Sequence, residues 1–183
     1  MPLLGGLITT IINAHRWINS CKLLRMMPTF AEKKGVDRMS PEDNKTIVRR
    51  SFEELFNRQN VAVVDELMSG DFIHHGPGTR VLRGSDFLDQ IRSRIIFLAF
   101  PDLHFTIEDM IAEGEKVVTR WTIRGTHRGE FMRLPPTGHQ VTWSGINITR
   151  VVGGKMVEDW VEQDTPGLMQ QLAGALQSGQ TGG

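Results

Sequence analysis

Pro101 divides the chain into two kinds of pattern, and that division constrains the fold more than any other feature. Before it, apolar residues recur at helical spacing: Ile47, Val48, Phe52, Leu55 and Phe56, then Phe87, Leu88, Ile91, Ile95 and Leu98. After it the repeat falls from about 3.6 residues to about two, the period of a strand with one buried face. The runs 103–111, 117–126, 140–151 and 156–164 alternate in this way. Glu113-Gly114-Glu115 and Gly153-Gly154 supply hairpin turns between them, and Pro135-Pro136-Thr137-Gly138 a longer loop. Helices followed by a meander of long antiparallel strands predict an α+β fold, a curved sheet wrapped over helices.

Local signals set the boundaries. Ser40 is placed to cap a helix, Pro41 suits its first turn, and Glu42 and Asp43 complement its dipole. Val61–Met68 reads as a short second helix and 71–75 as a short strand, stopped by Gly76-Pro77-Gly78. A third helix is expected from Ser85 to Leu98, and a closing helix from Thr165-Pro166, carrying Leu168, Met169, Leu172 and Leu176. The domain is therefore drawn at 40–176, with 177–183 as a flexible tail.

The charge pattern sets the first residues apart. Residues 1–38 hold six Lys or Arg against two acids, whereas the remainder has an excess of acids, although the 183-residue chain is neutral overall. Residues 1–39 are expected to be a poorly structured extension, and a start at Met39, just before the helix signal, accounts for them. An amphipathic membrane-surface helix or an organelle presequence is the alternative. The apolar run from Leu3 to Ile12 is too short to span a bilayer, which takes about 20 apolar residues. Its charges follow it rather than precede it, unlike a secretory signal. The default expectation is a cytoplasmic protein with no membrane partner.

Composition excludes several chemistries. Balanced charge argues against a nucleic-acid partner. The single Cys21 rules out an internal disulfide or a cysteine zinc cluster, and the absence of tyrosine removes a tyrosine acid. The six histidines show no H-x-H, H-x₃-H or H-E-x-x-H spacing, so no metal is expected. Phosphate-loop and dinucleotide fingerprints are absent, and no cofactor is expected.

Alternation selects inward residues. In the second long strand Val117, Thr119, Trp121, Ile123, Gly125 and His127 share one face, with Arg120, Arg124 and Arg128 on the other. His127 and Trp121 are thus expected to line an apolar pocket of the kind that binds small molecules. Ile146 and Ile148 lie opposite Trp143 and Asn147, so both faces of that strand are apolar and a homodimer through the outer face is expected.

Asp71-Phe-Ile-His-His, Phe100-Pro-Asp, Gly125-Thr-His-Arg-Gly-Glu-Phe, Pro135-Pro-Thr-Gly, Arg150, Gly154-Lys, Glu158, Trp160, Asp164 and Gln171-Leu172 together resemble the SnoaL-like polyketide cyclase (ester cyclase) family, over roughly residues 40–173. The resemblance implies the NTF2-like cone with a deep apolar pocket, dimerisation through the sheet, and ring closure by aldol chemistry without cofactor or metal. It places the family's catalytic aspartate at Val161 and its histidine at Asn147, so neither group is present. Asp159 shares the parity of Val161 and is the replacement carboxylate, or else a solvated strand residue. His75 matches a histidine that family members carry after the first strand, with His74 expected to point away. His127, Asp159 and His75 are the candidate acid–base residues, and Trp121, Asn147, Val161 and Asp164 the candidate substrate contacts. Asp164 could equally anchor the closing helix. A cyclase, isomerase or lyase acting on a hydrophobic carbonyl compound is the first reading. An epoxide or ester hydrolase of the same fold and a non-catalytic binding module are the alternatives.

Overall fold

The computed structural model describes residues 39–180; the expectations for residues 1–38 and 181–183 lie outside them. Helix α1 (Pro41–Phe52) opens as its sequence dictates. The Ser40 hydroxyl accepts the Asp43 N–H at 3.1 Å, and the Asp43 carboxylate accepts the Ser40 N–H at 3.1 Å, a reciprocal capping box. The helix widens into a π turn over Glu53–Asn57, then α2 (Val63–Leu67) leads into strand β1 (Met68–His75). A short strand β2 (Val81–Arg83), which the alternation does not reveal, pairs back on β1.

The expected third helix is two. α3 (Ser85–Arg92) stops where Arg94 takes a left-handed conformation (φ 57°), and α4 (Ile95–Ala99) begins just after it. Four long strands follow: β3 (His104–Glu113), β4 (Lys116–Thr126), β5 (Gln140–Val152) and β6 (Lys155–Gln163). The closing helix α5 spans Thr165–Gln180 and ends the described residues.

One six-stranded sheet results, in the order β2-β1-β6-β5-β4-β3. All neighbours are antiparallel except β1 and β6, which run parallel and join the helical half of the chain to its last strand. Bulges between Ile107 and Asp109 and between Arg150 and Val151 bend the sheet. Its concave side holds the core with α1, α3, α4 and α5, where Val48, Phe72, Phe100, Leu168 and Leu172 are fully buried. Each such side chain contributes about 1.5–3 kcal/mol of transfer free energy. No helix among the described residues is long and apolar enough to cross a membrane.

Candidate functional site

The concave side does not close completely. A cavity of about 230 Å³ remains between the helices and the sheet, ringed by eight aromatic side chains, including Phe72 and Phe87 on one side and Phe105, Trp121 and Trp143 on the other. Among the described residues its polar lining is confined to Ser51, His74, Asn147, Thr149, Asp159 and Gln163. Four of the groups around it form one chain of contacts. The Trp121 indole N–H donates to Asn147 Oδ1 at 2.7 Å, Asn147 Nδ2 donates to Asp159 Oδ2 at 3.4 Å, and His74 Nδ1 meets Asp159 Oδ1 at 2.8 Å.

Strand register explains this convergence. His74 lies directly beside Asp159 in the parallel β1–β6 pair, so the two side chains leave the sheet on the same side. Asn147 lies beside Val161 and Thr149 beside Asp159 across β5–β6. Trp121 sits opposite Gly145, where a Cβ would fall 2.4 Å from the indole. The His74 ring stacks on Phe87, with centroids 4.3 Å apart, which holds its plane toward the carboxylate.

The electrostatics follow from burial. Asp159 is 8% exposed, and its removal from water pushes its carboxyl above the usual carboxylate range; the His74 hydrogen bond and charge oppose that shift without cancelling it. A carboxyl held in this way keeps a proton closer to neutral pH than a surface aspartate does, as an acid–base group requires. Among the described residues no group of three His, Cys, Asp or Glu side chains could hold a metal ion.

The structure sorts the expected site residues. Asp159, Trp121, Asn147 and Val161 line the cavity. His75 does not. It leaves the opposite face of the sheet, meets Glu158 Oε1 at 3.0 Å and stacks on Trp160. The cavity histidine is His74, reversing the expected orientation of this adjacent pair. The signal was present in Phe72, whose apolar side chain shares the parity of His74.

His127 is fully buried but lies outside the cavity. Strand β4 ends at Thr126, and the next residue is drawn into the loop by its N–H bond to His139 O (2.9 Å) and its carbonyl bond from Gly138 N (2.9 Å). Phe100 then stands between its ring and the cavity residues Trp143 and Phe131. Asp164 also lies outside. Its Oδ1 accepts the Gly167 N–H at 2.9 Å, so it caps α5. Gln163, just before it, lines the cavity instead. Arg120, Arg124 and Arg128 are exposed, and among the described residues no arginine or lysine lines the cavity.

Comparison with known proteins agrees with this architecture. AclR of Streptomyces galilaeus, described as a candidate hydroxylase, is 28% identical with a TM-score of 0.66, over 73% of this chain and 83% of its own. IdmH of Streptomyces antibioticus, described as a candidate polyketide cyclase, is 29% identical with a TM-score of 0.61, over 74% and 99%. A SnoaL-like protein of Jannaschia sp. CCS1, at 23% identity and a TM-score of 0.67 over 76% and 98%, shares the fold. No curated protein matches the chain. Residues 46–172, covering the helices, the whole sheet and the start of α5, match the family model for the SnoaL-like polyketide cyclases, and the chain belongs to that family, with its NTF2-like α+β fold.

Proposed function

We propose that the protein performs acid–base chemistry on a hydrophobic, carbonyl-bearing small molecule, with Asp159 as the proton acceptor and His74 as the partner that orients it. The observation that carries this reading is the placement of one carboxyl–imidazole pair in the wall of a largely apolar cavity. Proton abstraction beside a carbonyl needs a base of tuned affinity held against the bound carbon, and the carboxyl of Asp159 has the raised affinity and the fixed position. The reaction class is enolisation leading to cyclisation, isomerisation or cleavage, carried by the chain's own side chains. The hydrolase reading has less support, because no arginine or lysine among the described residues lines the cavity to bind an anion or to polarise an epoxide.

The test is deuterium uptake from heavy water into the position next to the carbonyl of a panel of hydrophobic aryl ketones such as α-tetralone, followed by NMR. Uptake above the buffer rate that disappears in Asp159→Asn supports the proposal. Ketones that bind without exchange in either protein overturn it and leave the binding-module reading.

A second copy of the chain is the partner that fits the outer face of the sheet. Register places Arg120, Ile146 and Glu162 in one row across β4, β5 and β6, and Val118, Ile148 and Trp160 in the next. Ile146 and Ile148 are 47% and 36% exposed, and Arg120 and Glu162 form no ion pair among the described residues. A two-fold axis along β5 sets each isoleucine against its own copy and Arg120 against Glu162 of the other copy. Such a face is self-complementary in charge, with an apolar centre.

A further inference from the structure

We propose that Trp121 is a positioning residue, acting through Asn147 on Asp159, and that Gly145 provides the space that makes this possible. The inference rests on Asp159 being the proton acceptor and adds what sets its orientation and proton affinity.

The argument starts from what an indole can do. Its N–H donates and never accepts, so the Asn147 atom 2.7 Å away must be the carbonyl oxygen. That bond fixes the direction of the amide. Its NH₂ end is turned toward Asp159 Oδ2, where it donates to the ionised carboxylate at 3.4 Å. Without the indole the amide can turn over, and its oxygen would then face Asp159 and favour the protonated acid. All three residues are buried, each under 9% exposed, so water does not supply a substitute donor readily.

Gly145 completes the device. A Cβ there would lie 2.4 Å from the Trp121 ring and 2.6 Å from the Glu162 carbonyl oxygen, so any side chain displaces the indole. The absence of a side chain at this one position on β5 lets the ring lie across the strand and reach Asn147, two residues on. The remaining groups that act electrostatically on Asp159 are His74 in contact and His75 and Glu158 from the far side of the sheet, and their hydrogen bonds and ring contacts run to residues other than Trp121. The path from the indole to the carboxylate therefore runs through Asn147.

The experiment is an NMR titration of ¹³C-labelled aspartate carboxyls in the full chain, which reads Asp159 without any substrate. Trp121→Phe keeps the ring and removes the donor. It should move the Asp159 midpoint upward by about half a pH unit or more. In an Asn147→Leu background the same change should have no further effect on that midpoint. Gly145→Ala, which crowds the indole, should shift it in the same direction as Trp121→Phe, and serves if the phenylalanine variant fails to fold. An unchanged midpoint in Trp121→Phe, or an equal shift with and without Asn147, overturns the inference. Failure of the wild-type protein to exchange ketone protons would overturn the acid–base reading and leave the titration result standing.

Discussion

The side chains of His74 and Asp159 meet across the sheet's parallel strand pair, Nδ1 to Oδ1 at 2.8 Å, although 85 positions separate them in the chain. This pairing joins the first strand after the helices to the last strand of the meander. It is also where the cavity wall carries charge. The fold and the candidate chemistry thus depend on one register: a slip of one residue in β1 would turn His74 and the core residue Phe72 to the outer face and set His75 beside Asp159.

Asp159→Asn should slow exchange severely and stabilise the fold at neutral pH. The folded-state affinity of Asp159 for a proton is raised by burial, so its favourable contribution is present below the unfolded carboxylate value of about 3.9 and is lost as pH rises through the higher folded value. At pH 7 the buried charge is a net cost, and asparagine removes it while still accepting from His74. We expect a loss of about 10²–10⁴-fold in turnover together with a higher Tm at neutral pH, the gain shrinking toward pH 4. A lower Tm at pH 7 would show that the charge is compensated.

The two adjacent histidines should behave differently. His74→Ala removes the partner that fixes the carboxylate and should slow exchange by about 10²-fold, the scale of a misplaced catalytic group. His75→Ala breaks a half-buried pair with Glu158 on the far face and should leave exchange within about twofold. Exchange kinetics of both variants decide the matter; equal losses would contradict the assignment.

The sheet was legible in the residues because each long strand has one buried face, and every odd position from Val117 to Gly125 is buried as alternation requires. Trp121, Asn147 and Asp159 could be placed by the same parity. His127 could not, because alternation holds only while the strand lasts, and β4 ends one residue earlier. His74 was readable from Phe72, but the resemblance to relatives pointed to His75. The parallel β1–β6 pair left no local mark at all, since pairing over so long a separation is decided by tertiary packing. The break at Arg94 was hidden for a related reason: the apolar spacing continues across it while the backbone does not.

His127 should matter for stability and for its pH dependence. Its ring is fully buried beside Phe100, with Thr137 N–H donating to Nδ1 at 3.3 Å, and burial holds its proton affinity below the ordinary histidine range. A depressed folded value means that its contribution is present above the unfolded value of about 6.5 and is lost as pH falls through the lower folded value. His127→Phe should therefore flatten the loss of Tm between about pH 7 and pH 5 without changing the Asp159 titration. A steeper acid-side loss in the variant would refute this.

Charge reversal tests the proposed two-fold along β5. Arg120 and Glu162 flank Ile146 in a single row, so a copy rotated about that strand brings each arginine over a glutamate. Arg120→Glu sets acid against acid twice per dimer and should raise the dissociation constant by at least about tenfold, since like charges at close range cost upward of 1 kcal/mol. The double variant Arg120→Glu/Glu162→Arg restores both pairs and should return the dimer, whereas Ile148→Asp should leave monomers in either background. Sedimentation at several concentrations separates these outcomes. If Arg120→Glu weakens the dimer and the double variant weakens it further, the copies meet about some other axis; if the wild-type protein sediments as a monomer, the outer face has a different partner.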